Sequence, residues 1–346
     1  MRLLTPTQKK PSPKAGISAE KAESLRGMLR RWGSCSMAMH TIQPGMKAFE
    51  DHDGAPGFIG FKDQGRFRHA VSDPVCPPGA ADKLLRKFHQ SHGEITFFHV
   101  SPATAWVLRD LGYFVNQIGE EAIINLAGHT WNGRDKEDIR RQHNNAMKAG
   151  VVVSEICDDM SLSDEADRLS RQWLATVKRV KRELCYATRR PCFPGGPGVR
   201  EFYGFCDGRM EAFVHFDPVY REGAVEGYIP AVSRRRPDSP KGTQALIIRE
   251  AMAQFTKEGV SRLYLGLMPA HKVEDKEDRL LNPSPFVSRL FGWMGRSPLA
   301  NRFYPFRGVS FHKTRYRAQS SKVYMAFGRR YPVREMISFG RMAGIL

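Results

Sequence analysis

The sequence predicts an α/β protein made of two successive units, each with a mixed and largely antiparallel sheet. Its 346 residues, 41% of them hydrophobic, are enough for two domains of ordinary size or one large one. Segments with the two-residue period of strands alternate with segments that have the helical period. The second half repeats on a larger scale the alternation seen in the first half. These observations together favour a layered α/β architecture.

The first unit is predicted to alternate strands and helices. The strands are Phe58–Phe61, Ile95–Val100, Tyr113–Ile118 and Ala122–Leu126, and the helices are Ala80–Ser91 and the segment from Pro102 to Gly112. Leu84, Leu85 and Phe88 share one face of the earlier helix. Ser101 is a good N-cap for the later helix, Pro102 suits its first position, and Gly112 suits its end.

The second unit is predicted to contain three helices and five strands. The helices are Asp135–Ala149, Ser163–Leu184 and Thr243–Lys257, and the strands are Val151–Ile156, Phe202–Phe205, Met210–Phe216, Val225–Val232 and Arg262–Leu267. The Asp207-Gly208 pair predicts a hairpin, because a type I′ turn needs positive φ at both central residues.

The predicted boundaries give four parts. They are a basic flexible leader at 1–33, a first unit at 34–130, a second unit at 131–334 and a tail at 335–346. Residues 5–14 have no apolar periodicity, which favours a solvated leader, with a short helix around Ala19–Arg31.

The chain is strongly basic, with 54 Lys and Arg against 36 Asp and Glu and a net charge of +18. This excess favours a polyanionic partner: nucleic acid, an anionic membrane surface or a phosphorylated ligand. No run approaches the ~18 apolar residues of a membrane-spanning helix, and no signal peptide is evident. The six cysteines form no metal-binding spacing, so no metal is expected. The expected location is the cytoplasm, with the inner membrane face as the alternative.

The charge is concentrated near the end of the chain. Between Pro285 and Arg334 there are eleven basic residues, no acid, and several interleaved aromatic residues. This mixture is typical of a groove that follows a phosphate backbone and stacks unpaired bases. A solvated surface over ordinary core aromatics is the alternative interpretation.

The order of three antiparallel strands, a helix and another strand in the second unit resembles the core of the Gcn5-related N-acetyltransferase fold. Members of that fold bind acyl-coenzyme A through backbone N–H groups of a glycine-rich turn. Here the turn from Arg234 to Gly242 contains Pro237, Pro240 and one glycine, and prolines lack the N–H group. An acyl-coenzyme A donor is therefore disfavoured, and no cofactor is expected.

An ordered set of short motifs resembles the cytoplasmic C-terminal domain of the multiple peptide resistance factor, the phosphatidylglycerol lysyl- and alanyltransferases. The motifs are Asp110–Tyr113, Gly119–Leu126, Arg236–Gly242, Leu265–Pro269, Asn301–Gly308 and Lys313–Tyr316. The resemblance implies tandem acetyltransferase-like folds, with the catalytic one second. It also implies an enzyme that transfers an aminoacyl group from aminoacyl-tRNA to an acceptor hydroxyl or amine.

One departure from the family pattern affects the expected acceptor. The family has an Asp three positions before Arg234, where this chain has Ala231. A soluble relative, the valanimycin pathway seryltransferase, transfers serine to a small hydroxylamine. The favoured hypothesis is therefore transfer of an amino acid such as serine to a small soluble acceptor in antibiotic biosynthesis. The alternatives are phosphatidylglycerol, an anionic phospholipid, as acceptor at the inner leaflet, and a non-catalytic protein that binds RNA or membrane.

Four residues are the candidate catalytic groups. The resemblance implies Lys313 for neutralising either the terminal adenosine phosphates or the developing oxyanion, and Arg234 for phosphate or carboxylate recognition. Asp238 is a candidate for binding the substrate amine or acting as base, or for capping the helix near Thr243. Glu120 is a candidate base, and its neighbour Glu121 shares that hypothesis. The candidates for binding tRNA or substrate are Arg307, Arg315, Tyr304, Arg236, Arg302, Tyr316 and His312.

Overall fold

The computed structural model describes residues 17–52, 54–156, 159–176, 183–273, 279 and 281–346. The described strands are β1 Lys47–Glu50, β2 Phe58–Gln64, β3 Phe67–Val71, β4 Ile95–Val100, β5 Phe114–Asn125, β6 Val152–Glu155, β7 Arg200–Cys206, β8 Arg209–Arg221, β9 Ala224–Arg235, β10 Arg262–Pro269 and β11 Gln319–Phe327. The described α-helices are α1 Ala19–Trp32, α2 Ala81–His92, α3 Pro102–Asp110, α4 Glu137–Lys148, α5 Met160–Thr176, α6 Thr243–Lys257, α7 Pro285–Arg296, α8 Pro298–Phe303, α9 Phe306–Thr314 and α10 Val333–Ala343.

These strands form one continuous sheet, in the order β1-β2-β3-β4-β11-β5-β10-β9-β8-β7-β6. Only β3/β4 and β9/β10 pair in parallel among the described strands, so the predicted α/β class with largely antiparallel pairing is confirmed. The separate sheets expected for the two units are replaced by a shared one. β11 lies between β4 and β5, and β5 in turn pairs with β10. The last strand of each half, β5 or β11, therefore lies at the junction of the two halves, which we call the seam.

Helices cover both faces of the sheet. Helices α2, α3, α4 and α6 pack on one face, where Leu84 and Phe88 meet Phe97, and Phe255 stacks on Tyr228 at 4.4 Å. The opposite face, covered by α1, α5, α7, α9 and α10, includes the side chains of Val323, Met325 and Phe327. Burial of each such large apolar side chain stabilises the fold by roughly 1.5–3 kcal/mol.

The described part of the predicted leader is a packed helix. Helix α1 begins after Ser18, whose hydroxyl accepts from the Lys21 N–H, and this confirms the helix expected around Ala19–Arg31. Its Leu25 and Leu29 are fully buried against Phe58 and other residues of the first half. The prediction of a flexible leader is therefore wrong for 17–33, because leucines one helical turn apart form an apolar stripe under the basic surface. Residues 1–16 lie outside the described residues.

The predicted tail is also structured. Helix α10 buries Phe339, Met342 and Ala343 in the core. The backbone N–H of Cys185 donates to the Ala343 carbonyl oxygen, and the Cys185 thiol donates to that of Met342. The assignment of 335–346 to a tail is therefore corrected. The apolar residues of this segment recur with the helical period and pack against the sheet.

Two further elements differ from their predicted limits. The structure describes helix α5 as far as Thr176, and Leu184 lies in irregular structure, so the helix predicted over Ser163–Leu184 does not extend to Leu184; residues 177–182 lie outside the described residues. The two strands predicted around Gly119 are one strand, β5. A Cβ at Gly119 would lie 2.2 Å from the Met268 carbonyl oxygen, so the glycine permits the close approach of β10 rather than interrupting the strand.

Candidate active site

Lys313 lies where the parallel strands β9 and β10 separate. The two strands pair only at Arg262 and Leu263, and β10 then continues without β9 beside it. The ammonium of Lys313, in the last turn of α9, donates to the Leu267 carbonyl oxygen at 2.8 Å. Gly266 lies beside it, and a Cβ there would be 3.4 Å from Lys313 Nζ. A partly buried cation is thus held against a backbone carbonyl of β10, beyond the point where β9 stops pairing with this strand.

Glu121 is the acidic partner of Lys313. It lies on β5, directly opposite Leu267 in the antiparallel register, and accepts from the Ser36 hydroxyl at 2.6 Å. Burial raises the pKa of Glu121 to about 7, while Ser36 and Lys313 act in the opposite direction. Burial lowers the pKa of Lys313 to about 8, and Glu121 opposes this effect. Near neutral pH an ammonium and a carboxylate therefore coexist in the site.

A neutral histidine lies near Glu121, and a thiol lies near that histidine. His99 Nε2 lies 4.0 Å from Glu121 Oε1, and burial lowers the pKa of His99 to about 4. Cys35 Sγ lies 4.0 Å from the other ring nitrogen, and burial strongly raises the pKa of Cys35, so the thiol is uncharged. His99 has a positive φ of 59°, a strained backbone that is common at functional sites. We call Ser36, His99, Glu121 and Lys313 the Lys313 cluster.

A second group of buried charges lies on β8 and the segment after residue 183. Arg189 Nε is 2.9 Å from Asp217 Oδ2, and the Asp217 side chain is fully buried. Burial raises the pKa of Asp217 to about 6, and Arg189 opposes this. The nearby His215 is held neutral because burial lowers its pKa to about 3. This pair adds a second carboxylate and cation to the interior of the second half.

Arg234, on β9, is largely shielded from solvent, with 12% of its side chain exposed. Its guanidinium donates to Glu183 at 2.9 Å and stacks over the Trp173 ring at 4.1 Å from the centroid. Burial lowers the pKa of Arg234, and Glu183 opposes that shift. Since all these contacts fix the guanidinium plane, Arg234 is well oriented for positioning an anionic group.

The other predicted residues of this turn lie elsewhere. Asp238 is exposed and pairs with Arg209 at 3.1 Å rather than with the Lys313 cluster. It does not cap α6, whose N-cap is Gly242 with no side-chain hydrogen bond. Arg236 pairs with Glu165 at 3.1 Å and donates to the Met210 carbonyl oxygen, so it ties α5 to β8. These contacts are those of a structural link.

Glu120 also lies apart from its neighbour. Successive side chains of a strand point to opposite faces, so Glu120 and Glu121 diverge. Glu120 is 3.6 Å from Lys272 and 4.0 Å from His271. Of the two adjacent acids, the structure joins Glu121 rather than Glu120 to Lys313.

The aromatic residues of the C-terminal basic block are largely core. Tyr316, Tyr324 and Phe306 are buried, and Tyr304 is half-buried 4.8 Å from the Phe306 ring. Phe311 is exposed, with the Arg315 guanidinium 5.1 Å from its ring. The expected row of stacking aromatics is thus reduced, because the apolar faces of α9 and β11 pack inward.

Some basic residues of the same block donate hydrogen bonds within the protein, whereas others are available to solvent. Arg307 donates to the carbonyl oxygens of Gly295 and Arg296, which end α7. Arg315 donates to His312 Nδ1 at 2.7 Å, and burial lowers the pKa of His312 to about 4, so this histidine is neutral. Arg302 is exposed on α8. Arg302 is thus better placed to meet a phosphate than Arg307.

Sequence reasoning missed Ser36, His99 and the Arg189–Asp217 pair, and it preferred Glu120 to Glu121. A signal for Glu121 was present. Ala122, Ile124 and Leu126 alternate on one face of β5, which places Glu121 on the other face with Ile123. Ser36 and Asp217 carry no local signal, because only the fold brings them near their partners.

The shared sheet, with two β–α–β units and parallel strands that separate beside Lys313, has the Gcn5-related N-acetyltransferase-like fold. The chain belongs to the family of phosphatidylglycerol lysyltransferase C-terminal domains, whose family model matches residues 26–327. The resemblance noted in the sequence is thereby confirmed.

Solved structures support the same fold. The structure of L-PGS from Bacillus licheniformis has a TM-score of 0.77 at 19% identity and covers 96% of this chain and 98% of its own. The C-terminal domain from Agrobacterium fabrum assigned to lysylphosphatidylglycerol synthetase has a TM-score of 0.75 at 19% identity, covering 95% and 98%. FemX has a TM-score of 0.54 at 9% identity, covering 92% and 98%.

Curated relatives are longer proteins. Phosphatidylglycerol lysyltransferase of Bacillus subtilis is 22% identical over 57% of this chain and 22% of its own length. The lysylphosphatidylglycerol biosynthesis bifunctional protein LysX of Mycobacterium leprae is 24% identical over 72% of this chain and 22% of its length. The chain therefore spans about a fifth of these relatives. Within the described residues, every helix is too short or too polar to cross a bilayer.

Proposed function

We propose that the protein transfers an aminoacyl group from aminoacyl-tRNA to the hydroxyl or amine of an acceptor. The observation that carries this proposal is the electrostatic coupling of the partly buried Lys313 to the buried Glu121 beside β10. An aminoacyl ester is already activated, so transfer requires alignment, removal of one proton and stabilisation of an oxyanion. A cation and a carboxylate with pKa values near neutrality supply the last two requirements.

The proposed step is a direct acyl transfer. The acceptor oxygen or nitrogen attacks the ester carbonyl carbon while its proton passes to the Glu121 carboxylate. The Lys313 ammonium, now bound to the Leu267 carbonyl oxygen, turns to the developing oxyanion. Collapse of the tetrahedral intermediate breaks the bond to the ribose oxygen of the tRNA terminus, which takes the proton from Glu121. No covalent enzyme intermediate is needed.

Neighbouring residues have supporting roles in this proposal. The Ser36 hydroxyl, which donates to Glu121 at 2.6 Å, holds the carboxylate in place. Arg234 orients an anionic part of the substrate, because Glu183 and Trp173 fix its guanidinium plane. Arg302 and other exposed cations of the C-terminal block bind tRNA phosphates.

Two acceptor classes are proposed. Ala231, in place of an acidic residue, favours a small soluble acceptor such as a hydroxylamine, with serine as one candidate amino acid. The second class is phosphatidylglycerol, which the names of the relatives from Bacillus subtilis and Mycobacterium leprae support. Both classes use the same donor and the same proposed chemistry, and they differ in how the acceptor reaches the Lys313 cluster.

The test is single-turnover transfer from a panel of radiolabelled aminoacyl-tRNAs. Each is offered with hydroxylamines, with free amino compounds and with phosphatidylglycerol vesicles, and the labelled product is identified. We expect one acceptor class to accelerate loss of label from tRNA well above hydrolysis. Equal loss with and without every acceptor would contradict the transferase proposal and favour a non-catalytic RNA- or membrane-binding role.

A further inference from the structure

Helix α10 and the residues flanking it present an apolar and cationic surface to solvent. We call this the α10 surface, and its exposed side chains are Tyr331, Val333, Arg334, Ile337, Arg341, Ile345 and Leu346. Val333 and Ile337 are one helical turn apart and about two-fifths exposed, at 43% and 40%. Ile345 and Leu346 are still more exposed, at 59% and 57%. Aliphatic side chains at this exposure, grouped on one helix, indicate a contact surface.

The orientation of this surface is set by the packing beneath it. Phe339 and Met342 on the opposite side of α10 are buried in the core. Hydrogen bonds from Cys185 fix the last carbonyl groups of the helix. Helix α10 also lies beyond residue 327, where the match to the family model ends.

The exposed charged side chains of the α10 surface have one sign. Residues 331–346 contain a single acid, Glu335, which is buried and lies 3.7 Å from Arg329. Neither Arg334 nor Arg341 has an ion-pair partner among the residues that the structure describes. The complementary partner is anionic.

The side chains distinguish among anionic partners. Val333, Ile337, Ile345 and Leu346 have no ring with which to stack on a base, so a nucleic acid would leave them unused. In a bilayer interface, aliphatic side chains enter the acyl region while arginines meet lipid phosphates. Tyr331 suits the boundary between these regions, because its ring is apolar and its hydroxyl is polar.

We propose that the α10 surface docks the protein on an anionic phospholipid bilayer. The docking does not rest on the proposed transfer reaction, since it involves no group of the Lys313 cluster. It would place the protein at the membrane whichever acceptor it uses. The partner is recognised by its dense negative charge and its accessible acyl region together, which soluble phosphate compounds lack.

The test is flotation of the whole chain with vesicles of phosphatidylglycerol and phosphatidylcholine, compared with phosphatidylcholine alone. We expect binding to the anionic vesicles only, and Ile337→Glu should weaken it at least ~10-fold by adding charge where an apolar group inserts. Met147→Glu is the matched control, because Met147 is also an exposed apolar residue on a helix, α4. This control should bind like the wild type.

A second variant keeps the apolar groups. Arg334→Gln with Arg341→Gln should weaken vesicle binding about 30-fold, since each arginine near an anionic surface contributes about 1 kcal/mol. Thermal unfolding and tRNA binding of both surface variants should equal those of the wild type. Absent binding to anionic vesicles, or equal binding by Ile337→Glu and Met147→Glu, would overturn the proposal. Loss of tRNA binding with unchanged vesicle binding would assign the surface to RNA instead. Transfer to a soluble acceptor, measured separately, reports on the Lys313 cluster alone.

Discussion

The two β–α–β units, β3–α2–β4 and β9–α6–β10, have the same connection but differ at the ends of their parallel strands. β3 and β4 pair over four residues, whereas β9 and β10 pair over two. In the first half the Ser72 N–H donates to the Phe98 carbonyl oxygen and Asp73 accepts from the Ser101 N–H, which closes the pair. In the second half the Leu267 carbonyl oxygen is left for Lys313.

This difference shows how one architecture can provide both a scaffold and a site. Buried backbone N–H and C=O groups need hydrogen-bond partners. Strands that stay paired supply these partners to each other, whereas strands that separate need side chains or a ligand to supply them. In the second half, the end of β10 that is not paired with β9 carries Leu267, which accepts from Lys313 and lies opposite Glu121. The first half contributes Glu121 across the seam, and the candidate site therefore belongs to both halves.

The largest expected effect is the loss of Lys313. Lys313→Ala should lower the single-turnover transfer rate at least 100-fold, roughly 2.7 kcal/mol, because the partly buried cation stabilises the oxyanion. Lys257→Ala removes an exposed lysine from α6 and is the matched control, which should transfer at the wild-type rate. A change below threefold for Lys313→Ala would show that the open end of β10 is not the reaction site.

The next effect concerns the seam between the halves. Gly119→Ala should lower the free energy of unfolding by about 2–3 kcal/mol, since its Cβ would meet the Met268 carbonyl oxygen at 2.2 Å. Gly112→Ala, also at positive φ but with open space around it, should cost only about 1 kcal/mol. Urea unfolding of both variants measures the difference, and equal losses would mean that the approach of β5 to β10 is not tight.

The pH dependence of the transfer rate should reflect the ionisation of Glu121 and Lys313. Below the Glu121 pKa of about 7 the base is protonated, and above the Lys313 pKa of about 8 the cation is lost, so the rate should peak between them. On the acidic side it should fall about tenfold per pH unit. Glu121→Gln should abolish the acidic limb and move the basic limb to lower pH, since Glu121 raises the pKa of Lys313. An unchanged acidic limb in this variant would assign the proton to another group.

The smallest effect distinguishes the exposed arginines of the two halves. Arg302→Ala should weaken tRNA binding about threefold to tenfold and reduce the slope of its salt dependence by about one phosphate contact. Arg66→Ala removes an exposed arginine from the first half and should leave both quantities unchanged. Filter binding across a salt series gives both values. Similar losses in the two variants would place the tRNA on both halves.

The sequence predicted most of the fold because its elements carry local signals. Ser101 and Pro102 mark the start of α3, and Asp207-Gly208 marks the hairpin between β7 and β8. Lys313 could be selected in advance from its motif, but its helix and its contact with Leu267 could not. Glu120 and Glu121 are the same type of residue. Only the orientation of β5 within the sheet shows which of the two side chains faces Lys313.

The sequence by itself determined the α/β class, the basic surface and the positions of most strands and helices. These depend on the periodicity of side chains and on turn residues, which act over a few positions. Only the tertiary structure decided that β5 and β11 join both halves in one sheet. The tertiary structure further decided that Glu121 accepts a hydrogen bond from Ser36 and lies within the electrostatic influence of Lys313. It also decided which side of α10 remained exposed. The reason is that strand exchange and burial depend on contacts between residues far apart in the chain, which no local pattern encodes.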